Sequence, residues 1–340
     1  MGGLGFVGLG KAAERLAAAA SELPIGSLAA ACSQDREKAE SFAKRHGIPA
    51  FYERYEEMLA DSAIAGVVIA SANCGHERYA LAAARAGKHV FCEKPMGRNA
   101  REARAIWEAS QRCGIVLGVG YHHRYHPLLT LARELIRDGA LGPVQLVRGR
   151  FYVGPGYDRS GWRASFEASG GGALTSTGVH VIDAFHYLLG EDVRTAALVC
   201  DALPVEETCT AMLTFESGTV GIFDTSRSIP GIPQDNDIEI IGANGTCLLH
   251  SVLGGPVPRG TATVEANGER RVEECSPTTN LYGSELANFL AAIASGSPPV
   301  ADGAAGLAAA QVMDTLYRNA VVCAAVQSTP ITLEKELTHD

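Results

Sequence analysis

An apolar run that stops at an acid, a base and a proline cannot continue as a strand. In Gly87-Lys88-His89-Val90-Phe91-Cys92-Glu93-Lys94-Pro95 the proline has no N–H to give a sheet ladder. His89 to Cys92 therefore reads as a buried strand that presents Glu93 and Lys94 at its end. In open α/β sheets ligands bind beyond the carboxyl ends of the strands, which makes Lys94 a candidate for chemistry. The competing reading of Glu93 and Lys94 is a loop-closing ion pair. The segments on either side decide against it.

Upstream, Leu4-Gly5-Phe6-Val7 is a short apolar strand leading into Gly8-Leu9-Gly10-Lys11-Ala12-Ala13 and a helical stretch to about Glu22. This is a G-x-G-x-x-A turn. Gly8 permits the tight bend, Gly10 lets a pyrophosphate approach the backbone, and Ala13 lets the helix pack on its strand, while the helix start offers N–H groups. Strand and helix patterns then alternate: Leu28 to Cys32, Asp35 to His46, a short helix from Tyr55 to Leu59, Gly66 to Ala70, Glu77 to Ala86, the Lys94 strand, Arg98 to Cys113, and Ile115 to Val119. Such alternation predicts a parallel, doubly wound sheet. Two further strand ends carry polar groups, Ser71 to Asn73 with His76, and Tyr121 to Arg124, on the edge where the glycine turn lies.

The second half changes period. After a helix from Pro127 to Arg137, the segments 144–153, 194–200, 208–215, 219–227, 238–242 and 246–250 are short and rich in Val, Thr and Phe. Asn244-Gly245 predicts a type I′ hairpin, whose two central residues need positive φ. Helices are expected over 284–295 and about 303–326, and loops over 254–260 and 295–299. The chain of 340 residues is too long for one ordinary core, so the expected division is 1–122, a dinucleotide-binding domain, and 123–340, an α+β domain with a large, mainly antiparallel open sheet.

Composition narrows the function classes. A formal net charge of −9 disfavours a phosphate-backbone partner, so no nucleic acid is expected. No run of the roughly 18 predominantly apolar residues that span a bilayer occurs, and Leu4 to Ala20 lacks the basic start of a signal peptide and carries Lys11, Glu14 and Arg15. Nine cysteines without CxxC suit reduced thiols and a cytoplasmic protein. The cluster His122-His123-x-x-His126 suggests a metal, but adjacent histidines on an extended segment point to opposite faces, so no metal is expected. A broad antiparallel sheet with one uncovered face predicts a homodimer or homotetramer.

Between the halves lies Gly170-Gly171-Gly172, three glycines that imply close backbone approach, followed by Ser176, Gly178, His180 and Asp183. On a helix His180 and Asp183 are i,i+3 neighbours, so Asp183 could orient or charge-stabilise the imidazole. Tyr157, Trp162, Arg163 and Arg124 are candidate substrate contacts through aromatic faces and fixed donors. Each also has an ordinary reading as a loop anchor or a solvated arginine.

The glycine turn, Ala86-Gly87-Lys88-His89-Val90 before Glu93-Lys94-Pro95, and the glycine triplet followed by Gly178-x-His180-x-x-Asp183 together resemble the glucose-fructose oxidoreductase, inositol dehydrogenase and MocA family. The likeness covers nearly the whole chain. It implies a Rossmann domain plus an α/β domain, and nicotinamide-dependent oxidation or reduction of a sugar, polyol or related carbonyl compound. It also implies that Lys94 is the active-site lysine and His180 the catalytic histidine, with Asn73, His76, Glu93 and His122 near the cofactor. One departure stands out: four residues before His180, where the family commonly has aspartate, this chain has Ser176. That keeps open a hydrolase or lyase of the same fold that retains NAD, and a regulator that binds nucleotide and sugar without turnover. For the cofactor, an NAD-preferring site normally places an acid about 20 residues past the glycines. The strand here ends Ala31-Cys32-Ser33-Gln34, and Ser33 with Arg36 could receive a 2′-phosphate. Asp35 either bends back to the ribose or begins the next helix. The balance tips toward NADP over NAD.

Overall fold

The protein is described here by a computed structural model covering residues 2–20, 23–24, 27–154, 156–229, 236–276 and 280–323. The first half holds strands β1 (Gly3–Val7), β2 (Leu28–Cys32), β3 (Ala50–Tyr52), β4 (Ile64–Ile69), β5 (His89–Cys92) and β6 (Leu117–Val119), with helices α1 (Lys11–Ala19), α2 (Arg36–Arg45), α3 (Tyr55–Ala60), α4 (His76–Arg85) and α5 (Ala100–Cys113). All six strands are parallel, in the order β3-β2-β1-β4-β5-β6. The order reverses between β1 and β4, the crevice where doubly wound sheets bind ligands. Register aligns the strand ends there: Val7 pairs with Ile69, Ile69 with Cys92, and Cys92 with Val119. Gly8, Ala70, Glu93 and Gly120 thus leave the sheet in one row.

Local chemistry sets the helix boundaries. Asp35 caps α2 by accepting the Lys38 N–H at 3.0 Å, and Asn99 caps α5 by accepting that of Glu102 at 3.0 Å, so α5 starts two residues later than its sequence pattern suggests. Helix α1 ends at Ala19; Glu22 lies outside the described residues.

The second half holds α6 (Pro127–Arg137), β7 (Val144–Tyr152), α7 (Phe166–Ser169), α8 (Val179–Leu189), β8 (Val193–Cys200), β9 (Thr208–Phe215), β10 (Val220–Ser226), β11 (Ile238–Gly242), β12 (Gly245–His250), β13 (Thr261–Ala266), β14 (Glu269–Glu274), α9 (Leu281–Ser295), α10 (Gly303–Arg318) and β15 (Ala320–Val322). The sheet order is β14-β13-β12-β11-β7-β10-β9-β8-β15, antiparallel except for β7 with β10 and β8 with β15. One face is packed under α8, where Phe185 meets Phe223 at 6.3 Å between ring centroids. The other face leaves Val199, Met212, Leu248, Val272 and Val321 exposed. α10 stops at Arg318 and the chain turns into β15; residues 324–326 of the expected helix lie outside the described set.

The expected hairpin at Asn244-Gly245 forms between β11 and β12, but neither residue has positive φ. The Ala243 and Asn244 N–H groups instead donate to Pro143 and Leu141, so tertiary contacts shape that turn. A true two-residue turn with both φ positive occurs at Asn267 (56°) and Gly268 (79°), where Ala266 pairs with Glu269. After the second sheet, the chain returns to the first. Phe289 of α9 packs edge-on against Phe91 of β5 at 5.6 Å, and Asp302 forms a bridge with Gly118. No helix among the described residues is long and apolar enough to cross a membrane.

Candidate active site

A cleft of about 920 Å³ runs from the glycine turn, past the ends of β4 and β5, to the start of α8 and the ends of β7 and β10. Its cofactor end is shaped by Gly8, whose φ of 83° is a left-handed conformation and whose absent Cβ leaves room for the Ser71 backbone. A Cβ added at Gly10 would meet nothing within 4 Å, so the backbone there faces open space beside the start of α1. An exposed backbone turn at a helix N-terminus fits a dinucleotide pyrophosphate.

Of the residues singled out from sequence, Gly8, Leu9, Gly10, Ser71, Asn73, His76, Glu93, Lys94, His122, Tyr157, Trp162, Arg163, Ser176 and His180 line this one cleft. Asn73 is buried and donates to the Ser169 carbonyl at 2.7 Å, and His76 lies between the carbonyls of Pro95 (2.9 Å) and Ser71 (3.2 Å). These contacts tie the ends of β4 and β5 to the glycine triplet. Lys94 follows β5, and its Nζ donates to the Ser176 carbonyl at 2.5 Å. Burial lowers the Lys94 pKa, opposed by Tyr157 and Glu93; burial also raises that of Glu93. The His180 imidazole is held well below its ordinary pKa by burial, and then by Lys94, His123 and His122. Near neutrality it is therefore an uncharged imidazole rather than a group that titrates there. Arg163 lies over the Trp162 ring at 4.2 Å and 5.8 Å from that of Tyr157, forming one stacked wall.

Four residues depart from expectation. Asp183 does not pair with His180: its carboxylate takes the Arg124 Nε at 3.0 Å and Nη2 at 2.8 Å. Arg124, expected to contact substrate, is spent on Asp183 and on the Val300 carbonyl (2.8 Å), and neither residue lines the cleft. A fixed guanidinium outcompetes a neutral imidazole for a carboxylate. Ser33 accepts the Asp35 N–H at 3.2 Å, Arg36 pairs with Glu53 at 2.8 Å and lies over Phe51, and neither lines the cleft. Asp35 caps α2.

The glycine triplet does pack closely, but against the chain itself: backbone at Gly170 and Gly172, side chains at Gly171. Cβ atoms at Gly170, Gly171 and Gly172 would run into Arg98, Tyr317 and Glu206 respectively. Residues 122–125 form a 3-10 turn, so His122 and His123 share a side with ring centroids 3.9 Å apart. His126 turns away to the Arg259 carbonyl at 3.0 Å.

Sequence reasoning missed Lys38, Arg227 and Asn236, which also line the cleft. Lys38 sits in the same first turn of α2 as Arg36 and could have been weighed beside it. Arg227, just beyond β10, is buried and donates to Glu207 at 2.8 Å. Asn236 clamps the end of β7, accepting the Tyr152 N–H at 2.9 Å and donating to its carbonyl at 3.2 Å. Neither has a local motif.

Residues 3–121 match the family profile described as an oxidoreductase family with an NAD-binding Rossmann fold, and residues 129–248 match the Gfo/Idh/MocA C-terminal domain. The chain is 28% identical over 310 residues to the 1,5-anhydro-D-fructose reductase of Ensifer adhaerens, covering 89% of this chain and 91% of that protein. It is 27% identical over 326 residues to an NADP(+) D-xylose 1-dehydrogenase of Haloferax volcanii, covering 95% and 98%. Among solved structures, levoglucosan dehydrogenase in complex with NADH and levoglucosan superposes with a TM-score of 0.83 at 25% identity, covering 94% of this chain and 96% of that one. With both halves matched in order along the chain, this protein belongs to the Gfo/Idh/MocA family of oxidoreductases.

Proposed function

We propose that the protein is an NAD(P)-dependent dehydrogenase or reductase that interconverts a CH–OH group and a carbonyl on a sugar, polyol or related compound, with Lys94 and His180 at the reacting centre. The observation that carries this reading is the cleft itself, in which the glycine turn and the Lys94–Ser176–His180 corner are continuous. The similar proteins named above act on sugars or their anhydro derivatives, which favours the same substrate class.

The nicotinamide, when bound, supplies the hydride acceptor or donor. The residues of the chain supply position and protons. Gly8, Leu9, Gly10 and the α1 N-terminus would hold the pyrophosphate, and Asn73, His76, Glu93 and His122 would shape the nicotinamide end. Lys94, half-buried and with a lowered pKa, donates a proton to the oxygen during reduction and, as the uncharged amine, takes the hydroxyl proton during oxidation. His180, kept neutral, hydrogen-bonds the same oxygen and so fixes which carbon reacts. Ser176 cannot act as a carboxylate base: its hydroxyl turns back to the Ala173 carbonyl at 3.3 Å, and its part is the carbonyl that holds Lys94. The wall of Tyr157, Trp162 and Arg163 suits a sugar face.

For the 2′-phosphate, Lys38 takes the place first given to Arg36, since it is the α2 cation on the cleft; this keeps the balance toward NADP. The uncovered sheet face, with Val199, Met212 and Val321 exposed, supports a homodimer or homotetramer, for which light scattering at micromolar concentration is the check. The division at 122/123 and a cytoplasmic setting belong to the same reading. The deciding experiment is a screen of sugars and polyols for reduced-nicotinamide absorbance with each cofactor. Turnover supports a dehydrogenase. Aglycone release with no net change in cofactor redox state would instead indicate a hydrolase or lyase, and tight binding without turnover a regulator.

A further inference from the structure

We propose that His122, His123 and His180 form a binding site for a divalent transition ion of the zinc class, and that an ion there shuts the reacting centre. The second clause rests on the reading of His180 above; the first does not.

Three buried histidines from two elements, the 122–125 turn and the first turn of α8, each offer one ring nitrogen, and these nitrogens lie within 4.8 Å of one another. The rings are in mutual contact, His123 to His180 at 4.7 Å and His122 to His180 at 5.2 Å between centroids. A tetrahedral ion with bonds of about 2.0–2.1 Å needs nitrogens about 3.4 Å apart, so ring rotations of about 1 Å close the set.

The surroundings are those of metal-binding imidazoles. A ligating histidine generally donates its other N–H to a carbonyl, which fixes the tautomer. Here the Gly254 carbonyl lies 3.2 Å from Nε2 of both His122 and His123. When the two Nε2–H groups donate there, each Nδ1 carries a lone pair. The Gly254 N–H also reaches His123 Nε2 at 2.9 Å, so the ion selects one of two available tautomers. Nδ1 of His123 and Nδ1 of His180 are both buried with no hydrogen-bond partner among the described residues. Buried polar atoms without partners are uncommon and costly, and a ligand removes the cost.

Three neutral imidazoles without carboxylate or thiolate suit Zn²⁺, Co²⁺, Ni²⁺ or Cu²⁺ and not Mg²⁺ or Ca²⁺. His122 and His180 face the cleft, so a fourth, open position would lie toward substrate. The Lys94 charge opposes the ion and keeps the affinity below that of a structural zinc site. An ion on His180 displaces it from the substrate oxygen, and the effect on turnover is therefore inhibition competitive with the sugar.

The test uses untagged, chelator-treated protein titrated with Co²⁺ alone, followed by visible absorption and calorimetry. One ion per chain with the absorption of a tetrahedral site is expected. His123→Asn and, independently, His122→Asn should weaken binding roughly tenfold or more, while His46→Asn should not change it; thermal melting establishes that each variant is folded. Failure of Co²⁺ to bind, or equal binding by both folded cluster variants, overturns the site. Zn²⁺ should then inhibit turnover reversibly, with chelator restoring it and the sugar protecting. Binding with turnover unaffected overturns the inhibitory clause. Binding to a protein that turns over no sugar even without metal leaves the site standing and overturns the dehydrogenase reading instead.

Discussion

His180 and Asp183 lie one turn apart on α8, and their surroundings are built in opposite ways. Asp183 is enclosed with Arg124, which gives it three hydrogen bonds, gives a fourth to the Val300 carbonyl, and lies over the Tyr187 ring at 5.3 Å. The Arg124 guanidinium is thus engaged within the protein. Around His180 the set stays open: Lys94 holds one carbonyl, and the His180 Nδ1 has no partner among the described residues. A closed ion pair holds a fold together, whereas an open set of donors and acceptors retains the capacity to act on a ligand.

The largest expected effect breaks the closed pair. Arg124→Ala leaves the Asp183 carboxylate buried alone and should lower unfolding free energy in urea by about 3–5 kcal/mol, while Arg124→Met with Asp183→Leu should recover much of it. A single Asp183→Asn that abolishes turnover at unchanged stability would place Asp183 in the reaction and erase the contrast. At the open set, Lys94→Ala should lower turnover by about two to three orders of magnitude with thermal melting little changed. His180→Ala should do nearly as much, and the double variant little more, because the two act as one unit. Full turnover in a well-folded Lys94→Ala protein would defeat this assignment.

The pH dependence sharpens the same contrast. Because burial lowers the Lys94 pKa, the uncharged amine appears at lower pH than in a free lysine. The oxidation rate should therefore rise with pH along a limb whose midpoint lies below the ordinary value of about 10.4, and Lys94→Ala should abolish that limb. A limb retained in Lys94→Ala would assign the titration to another group. At the nucleotide end, Lys38→Ala should raise the Michaelis constant for NADP about tenfold, the worth of one charge-assisted contact, leave that for NAD unchanged, and exceed the effect of Arg36→Ala. The reverse order would restore Arg36. Smallest of all, Ser176→Ala keeps the backbone carbonyl that holds Lys94 and should cost less than about threefold in turnover, since a neutral hydrogen bond contributes about 1 kcal/mol or less; a larger loss would route the proton through the hydroxyl.

The sequence was most legible where a rule acts within a few residues. The glycine turn, the strand ending at Glu93-Lys94-Pro95 and the helix beginning Pro127 each follow from φ preferences, a missing N–H, or a repeating apolar face, and each lies where those rules put it. The same kind of rule misled at Asn244-Gly245, where contacts with Leu141 and Pro143 override the turn preference, and it went unused at Asn267-Gly268, which follows it. Strands β3, β13, β14 and β15 were not recognised: β3 and β15 have three residues each, and β14, Glu269–Glu274, is exposed throughout, so it carries no apolar alternation.

By itself the sequence determined the doubly wound first sheet and the mainly antiparallel second one, because these rest on periodicity; the pairing of Lys94 with His180 came from the family resemblance alone. Only the tertiary structure decided which charges are spent. Arg124 chose Asp183 across 59 positions of chain, Arg36 chose Glu53 and left Lys38 on the cleft, and the 3-10 turn brought His122 and His123 to one side of His180. Spacing along a chain tells which side chains can meet on one element. Which of several partners a buried charge takes depends on geometry and desolvation between elements, and that is fixed only when the elements pack.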